Sequence, residues 1–152
     1  MKLVAINLPC HECKTINRLV LSEGSRGKPR CGSCVTLLME YSVVAGFVYL
    51  LSNPTFPGLL KIGFTTRSVE ERITELNSST SVPAPFDLVA YYSCQNPQKD
   101  ERTVHLALDS CRAPGKEFFA IKPKQALDIL TEVLGRRPIY TRNKSATAAK
   151  PE

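Results

Sequence analysis

The feature that most constrains the fold of this chain is a pair of short apolar runs followed at once by an amphipathic segment. The runs, at residues 48–51 and 59–64, are rich in side chains that favour strands. Between them, the Pro-containing pairs at 53–54 and 57–58 indicate turns. The sequence therefore predicts a β-hairpin closed by an irregular loop.

A helix is predicted directly after this hairpin. Ser68 is placed to open it, and Glu71, three residues later, completes a capping box. Val69, Ile73 and Leu76 then share one helical face, so that the helix can pack on the hairpin. A third strand is predicted over residues 86–94, and further helices are predicted to begin at Pro97 and Pro123.

This order of elements, with polar residues at particular places, resembles the GIY-YIG nuclease superfamily. Phe-Val-Tyr at 47–49 stands for the first motif, and Lys-Ile-Gly at 61–63 stands for the second. Most members have Tyr where this chain has Lys, although Lys-Ile-Gly is the usual form in a small phage and bacterial branch. The likeness continues in Arg72, in Glu-x-x-x-His at 101–105 and in Gly-x-Glu-Phe-Phe at 115–119.

The resemblance extends over about residues 46–134 and implies both a fold and an activity. The implied fold is α/β (α+β), a small three-stranded antiparallel sheet flanked by helices, in a domain over residues 45–137. The implied activity is that of a metal-dependent endonuclease or nickase that hydrolyses DNA phosphodiester bonds. The implied catalytic residues are Tyr49, Lys61, Arg72, Glu101 and His105.

Each of these residues has an implied role. Tyr49 would act as general base or hold the attacking water, and Lys61 beside the phenol oxygen would ease loss of its proton. Arg72 would clamp the scissile phosphate through its planar fork. Glu101 would bind a single Mg²⁺ or Mn²⁺, and His105 would have an auxiliary proton or phosphate role.

Structural interpretations of the same residues remain open. Tyr49 is also an ordinary strand aromatic, and Lys61 an ordinary edge charge. Arg72 can also pair with Glu75 on the helix surface, with Arg67 competing for its role, and Glu117 is interpreted as a residue that is structural or that supports the site from behind. Two other functions therefore stay possible, a nucleic-acid-binding module that does not cleave and an adaptor that binds proteins.

Two Cys-x-x-Cys pairs, separated by 17 residues, lie near the start of the chain. Each pair supplies two sulfurs from one tight turn, and structural zinc takes four such ligands in a tetrahedron. The predicted zinc ligands are Cys10, Cys13, Cys31 and Cys34. With strands at 16–21 and 35–39, and with Gly32 supplying a positive φ, they predict a zinc ribbon over residues 1–42. Two redox pairs are the alternative.

Charge and hydropathy restrict the partners of the chain. A formal net charge of +6 favours an anionic partner, with nucleic acid a leading candidate, and the resemblance to nucleases implies that this partner is double-stranded DNA. No apolar run approaches the roughly 20 residues that span a membrane, and no signal peptide is recognisable, so a cytoplasmic location with reduced thiols is expected. The polar, small residues 141–152 predict a disordered tail. The sequence does not indicate an oligomeric state.

Overall fold

The computed structural model describes residues 3–22, 24–79, 82–114 and 117–142. The chain divides into two compact units, Met1–Ala45 and Gly46–Glu152, and each is described by itself. Within the described residues, no helix is long and apolar enough to cross a membrane.

The N-terminal unit contains a long β-hairpin and a small two-stranded ladder. β1 (Leu3–Pro9) pairs antiparallel with β2 (Ile16–Ser22), and β3 (Arg26–Gly27) pairs with β4 (Tyr41–Ser42). The strand predicted at 16–21 is β2. The strand predicted at 35–39 was wrong, because Val35 has a φ of 61°, which is incompatible with an extended strand, and Leu37 makes only an isolated bridge with Arg30.

The C-terminal unit is built on a five-stranded antiparallel sheet in the order β8-β6-β5-β7-β9. The predicted hairpin is β5 (Gly46–Ser52) with β6 (Leu59–Thr65), and the predicted third strand is β7 (Asp87–Cys94). Two short strands, β8 (Phe118–Ala120) and β9 (Tyr140–Thr141), extend the sheet at its two edges. The prediction of three strands was therefore wrong, since elements this short carry no alternating pattern that sequence could reveal.

Three helices pack against this sheet in the described part of the unit: α1 (Val69–Asn77), α2 (Pro97–Ala107) and α3 (Pro123–Leu134). The predicted capping box at the start of α1 is confirmed. The Glu71 amide donates to Ser68 Oγ at 3.2 Å, and the Ser68 amide donates to the Glu71 carboxylate at 3.3 Å. Because this cap fixes the first turn, it also fixes where the side chains of α1 meet the sheet.

The two faces of the sheet bury different cores. Alternation along β5 sends Val48 and Leu50 to one face, where they pack with residues of α2 and α3. The same alternation sends Tyr49 and Leu51 to the other face, where they pack with Val69 of α1. Tyr49 is therefore held between the sheet and α1.

The segment predicted as a disordered tail begins inside the sheet. Thr141 pairs with Ala90, and the Arg142 amide donates to the Val89 carbonyl at 2.8 Å. The remainder of the predicted tail, residues 143–152, lies outside the described residues.

Candidate functional site

Tyr49 is the most deeply buried polar side chain of the candidate site. It lies in the middle of β5, pairs with Gly63 on β6, and is 1% exposed. Its phenol lies against the backbone of Gly63, where an added Cβ would stand 2.6 Å from the phenol oxygen. The glycine of the Lys-Ile-Gly motif is therefore required for this close approach.

Arg72, in the first half of α1, is the cation that contacts this phenol. Its Nε donates to Tyr49 Oη at 3.4 Å, and its Nη1 donates to the Glu75 carboxylate at 3.0 Å. Burial raises the pKa of Tyr49 above its ordinary value, and the hydrogen bond and charge of Arg72 oppose that rise. The phenol is consequently protonated at neutral pH.

Lys61 contacts a carboxylate instead of the phenol. It is 8% exposed, its Nζ forms an ion pair with Glu117, and it lies 5.4 Å from the centroid of the Phe118 ring. Glu117 is fixed beside β6 because its carbonyl accepts a hydrogen bond from the Ile62 amide at 3.0 Å. Arg72 thus takes the place beside the phenol that was predicted for Lys61, because Lys61 is engaged with Glu117.

Glu101 and His105 lie one turn apart on α2. The Glu101 side chain is 16% exposed, and its Oε1 is 3.4 Å from His105 Nε2. The same Nε2 is 2.9 Å from the Ile62 carbonyl oxygen, so it carries the proton and donates. Burial raises the pKa of Glu101, His105 lowers it, and the charge of Glu117 raises it again. His105 therefore orients Glu101 and holds α2 against β6.

A cleft of about 260 Å³ joins these groups. Its lining consists of Tyr49, Gly63, Phe64, Thr65, Thr66, Arg67, Arg72, Glu101 and Glu117. Among the five predicted catalytic residues, Tyr49, Arg72 and Glu101 line the cleft. Lys61 and His105 are not among the lining residues, and each contacts a carboxylate that is.

Two residues that are not among the five predicted catalytic residues also line the cleft. Glu117, interpreted as structural, places its carboxylate in the cleft, where 46% of the side chain is exposed. Arg67, considered only as a rival of Arg72, also lines the cleft and donates to the Glu75 carboxylate at 2.5 Å. The signal for Arg67 was its position between the second predicted strand and the capped helix, where side chains often enter sites. The signal for Glu117 was its place in the Gly-x-Glu-Phe-Phe motif. Gly115, the first residue of the motif that contains Glu117, lies outside the described residues.

The four cysteines of the N-terminal unit form a separate cluster. Their Sγ atoms all lie within 4.8 Å of one another. The sulfurs of Cys10 and Cys34 are 3.5 Å apart, as are those of Cys13 and Cys31. Thiolates bound tetrahedrally to zinc at about 2.3 Å stand about 3.8 Å apart, so the cluster is consistent with a structural zinc.

Both cysteine-bearing turns have the same backbone geometry. The Lys14 amide donates to the Cys10 carbonyl at 3.0 Å, and the Val35 amide donates to the Cys31 carbonyl at 3.0 Å. Lys14 and Val35 have φ values of 64° and 61°. The positive φ predicted for Gly32 was therefore wrong, because it falls on the residue after the second cysteine of each turn.

The electrostatics of the cluster favour thiolates at some of its sulfurs. Backbone amides of Cys34 and Ser33 lower the pKa of Cys31 to about 6. The Cys13 amide lowers the pKa of Cys10, but burial and the neighbouring thiols outweigh it and raise that pKa to about 11. A cation among the four sulfurs would favour the ionised form of each, because the thiolate is the metal ligand.

The hairpin, the capped helix and this cleft lie in a domain whose sequence is related to the GIY-YIG nucleases. The chain belongs to the T5orf172 domain family, which matches residues 46–134 and is related to the GIY-YIG nucleases. It is similar to an uncharacterised protein, YeeC, of Bacillus subtilis strain 168, with 39% identity over 79 residues. That match covers 45% of this chain and only 21% of the relative. No solved structure matches the chain.

Proposed function

We propose that this chain is a metal-dependent endonuclease or nickase that hydrolyses DNA phosphodiester bonds. The observation that supports the proposal is a single cleft lined by a phenol, a guanidinium and two carboxylates, from Tyr49, Arg72, Glu101 and Glu117. Phosphodiester hydrolysis needs a positioned water and positive charge on the phosphate oxygens. These side chains supply groups for both tasks.

Arg72 and Tyr49 act on the phosphate and the water. Arg72 already holds the phenol through Nε, and its fork presents further N–H donors to a phosphate. The Tyr49 hydroxyl positions the attacking water, or, once ionised, its phenolate oxygen accepts a proton from that water. Because burial raises the pKa of Tyr49, the second role becomes more effective as the pH rises.

Glu101 and Glu117 are the residues that would hold Mg²⁺ or Mn²⁺. Both cations prefer oxygen ligands and bind through one or two carboxylates together with substrate phosphates. The bound cation would supply positive charge to the phosphate oxygens. The fit lies in the chemistry of the donors, since the carboxylates of Glu101 and Glu117 both line the cleft and Mg²⁺ and Mn²⁺ take oxygen ligands.

Nicking of supercoiled plasmid in Mg²⁺ or Mn²⁺ tests the proposal. Wild type should nick, whereas Glu101→Gln should lose nicking and keep DNA binding, because it removes a negative charge without removing volume. Glu70→Gln, on the exposed surface of α1, is the matched control and should nick like wild type. Wild-type protein that binds metal and DNA without nicking in either cation would contradict the nuclease.

One observation favours a second candidate, a nucleic-acid-binding module that does not cleave. Lys61 is paired with Glu117, so its ammonium does not assist ionisation of Tyr49. Binding by such a module would be largely electrostatic and would weaken steeply with salt. A salt-dependent gel shift by protein that never nicks would select this candidate.

A further inference from the structure

We propose that the β9 edge of the sheet binds unpaired bases of a single-stranded DNA segment that leads to the cleft. The proposal rests on the nuclease function and names its substrate class, DNA that carries a single-stranded segment. Three observations support it: a row of tyrosines, an exposed ring at the end of that row, and an arginine, Arg142, two residues after that ring.

The row crosses the sheet on the face that carries Tyr49. Gly63 pairs with Tyr49, Tyr49 with Tyr91, and Tyr91 with Tyr140. Directly paired residues of antiparallel strands point to the same side, so the three tyrosines share one face. With strands about 4.8 Å apart, the backbone of Tyr140 lies about 10 Å from that of Tyr49.

The rings at the far end of the row form a stack with an exposed end. The ring centroids of Tyr91 and Tyr140 are 6.1 Å apart with planes at 16°, and Phe47 meets Tyr91 edge-on at 5.5 Å. Tyr140 lies on the last strand of the described sheet and is 42% exposed. One side of its ring is occupied by Tyr91, and a base stacked on the other side would extend the same arrangement.

Positive charge lies close to this ring in the chain. The described residues 136–142 contain three Arg and no acidic residue, and Arg136 is paired with Asp100 at 2.8 Å. Arg142, two residues after Tyr140, is half-exposed, and its Nη1 lies 3.6 Å from the Asp87 carboxylate. A surface ion pair of this length is weak and can exchange for a phosphate. Stacking rings with cations beside them are what proteins use to bind single strands.

The stacking requirement distinguishes single strands from duplex DNA. Bases within a duplex are already stacked on their neighbours, so a side chain reaches a base face only where the base is unpaired. Tyr140 can therefore contribute little to binding of a blunt duplex, which would contact the protein through its phosphates. The two kinds of DNA should respond differently to the loss of one ring.

Fluorescence anisotropy with full-length protein tests this, using labelled oligo(dT) and a blunt duplex of equal length without added divalent cation. Tyr140→Ala should weaken oligo(dT) binding about tenfold and leave duplex binding unchanged, because one base loses its stacking partner. Tyr140→Phe keeps the ring and should bind like wild type. Ile139→Ala, which removes a neighbouring side chain that is 55% exposed, is the matched control.

A cleavage assay separates this inference from the nuclease itself. With Mg²⁺ or Mn²⁺, wild type should cleave a duplex with a single-stranded overhang faster than a blunt one, and Tyr140→Ala should lose that preference while still cleaving. Equal oligo(dT) affinity of wild type and a folded Tyr140→Ala would overturn the inference, whether or not plasmid is nicked. Loss of oligo(dT) affinity in Tyr140→Ala, without cleavage by wild type, would support the binding edge and reject the nuclease.

Discussion

Lys61 and Glu117 form an ion pair that is buried at one end and open to the cleft at the other. Lys61 is 8% exposed, whereas 46% of the Glu117 side chain is exposed. Removal of either partner leaves the other charge without compensation, and the cost is greater for the one that water reaches less. Removal of either partner is therefore expected to change both the stability of the β6–β8 edge of the sheet and the net charge of the cleft.

Substitution of these two residues should show the effect on stability. Glu117→Gln leaves a nearly buried ammonium and should lower the free energy of unfolding by about 1–2 kcal/mol, less than for a fully buried pair. Lys61→Met should be destabilising too, and the double variant should cost less than the sum of the single ones. Urea unfolding of the four proteins measures this, and strictly additive values would show that the ion pair does not stabilise the fold.

The pKa of Tyr49 predicts the pH dependence of nicking. A general base acts in its ionised form, and below its pKa the ionised fraction rises about tenfold per pH unit. Because burial raises the pKa of Tyr49 above its ordinary value, the nicking rate should keep rising up to at least about pH 9. Tyr49→Phe should remove both the activity and its pH dependence. A plateau near neutral pH would assign the titrating group to another residue.

Sequence could predict the cleft residues that are tied to a local pattern. Tyr49, Arg72 and Glu101 lie on a strand, a capped helix and a second helix that the residues themselves indicate. The contribution of Glu117 depends on β8 pairing with β6, and Glu117 lies 56 positions after its partner Lys61. No local sequence pattern encodes a contact at that separation. The sequence therefore could not predict the ion pair, nor that Lys61 contacts Glu117 in place of the Tyr49 phenol.

At the scale of elements, α1 has a well-defined start that places Arg72 on the phenol. The capping box satisfies two backbone amide donors, those of Ser68 and Glu71, and Arg72 follows directly. Fraying of that turn would loosen the contact between Arg72 and Tyr49. The cap therefore helps to hold Arg72 in contact with the Tyr49 phenol.

Ser68→Ala should therefore destabilise the protein by about 1 kcal/mol, because the Glu71 amide loses its acceptor. Ser68→Asp keeps an oxygen in the same place and should remain near wild type. Thermal unfolding of the three proteins gives the comparison. Equal loss of stability in both variants would mean that the serine contributes through packing and not through its hydrogen bond.

The elements also show where sequence patterns stop being informative. β5, β6, β7 and the three helices each carry a run of apolar residues or a cap and were predicted. β8 and β9 contain three and two residues, and they are strands only because β6 and β7 offer free edges. Such edge strands depend on tertiary pairing more than on propensity.

At the scale of the whole molecule, the two units differ in what can hold them together. Among the described residues of the N-terminal unit, only Cys10 and Cys31 are buried. The C-terminal unit buries two apolar clusters, one on each face of its sheet. With so few buried side chains, the N-terminal unit is expected to gain much of its folding free energy from a bound metal, and we propose that this metal is a zinc held by the four cysteines.

Metal analysis of purified protein should find one zinc per chain, and Cys13→Ser or Cys34→Ser should lose it. Cys111→Ser, outside the cluster, should keep it. Because the C-terminal unit has its own core, strong chelation should increase amide hydrogen exchange in residues 3–45 and leave exchange in the five-stranded sheet unchanged. Intact protein that contains no zinc would contradict the proposal.

The contact between Tyr49 and Gly63 has a consequence for the divergence of this family. The Tyr49 ring fills the space that a side chain at position 63 would need, since any Cβ there would stand 2.6 Å from the phenol oxygen. A side chain can therefore appear at position 63 only where the tyrosine has been replaced, whereas the tyrosine can change while Gly63 is kept. A relative with a side chain in place of Gly63 is expected to have given up the tyrosine as well, and with it the proposed chemistry while keeping the fold. These two positions could thus sort members of the family into candidate enzymes and folds that have diverged from catalysis.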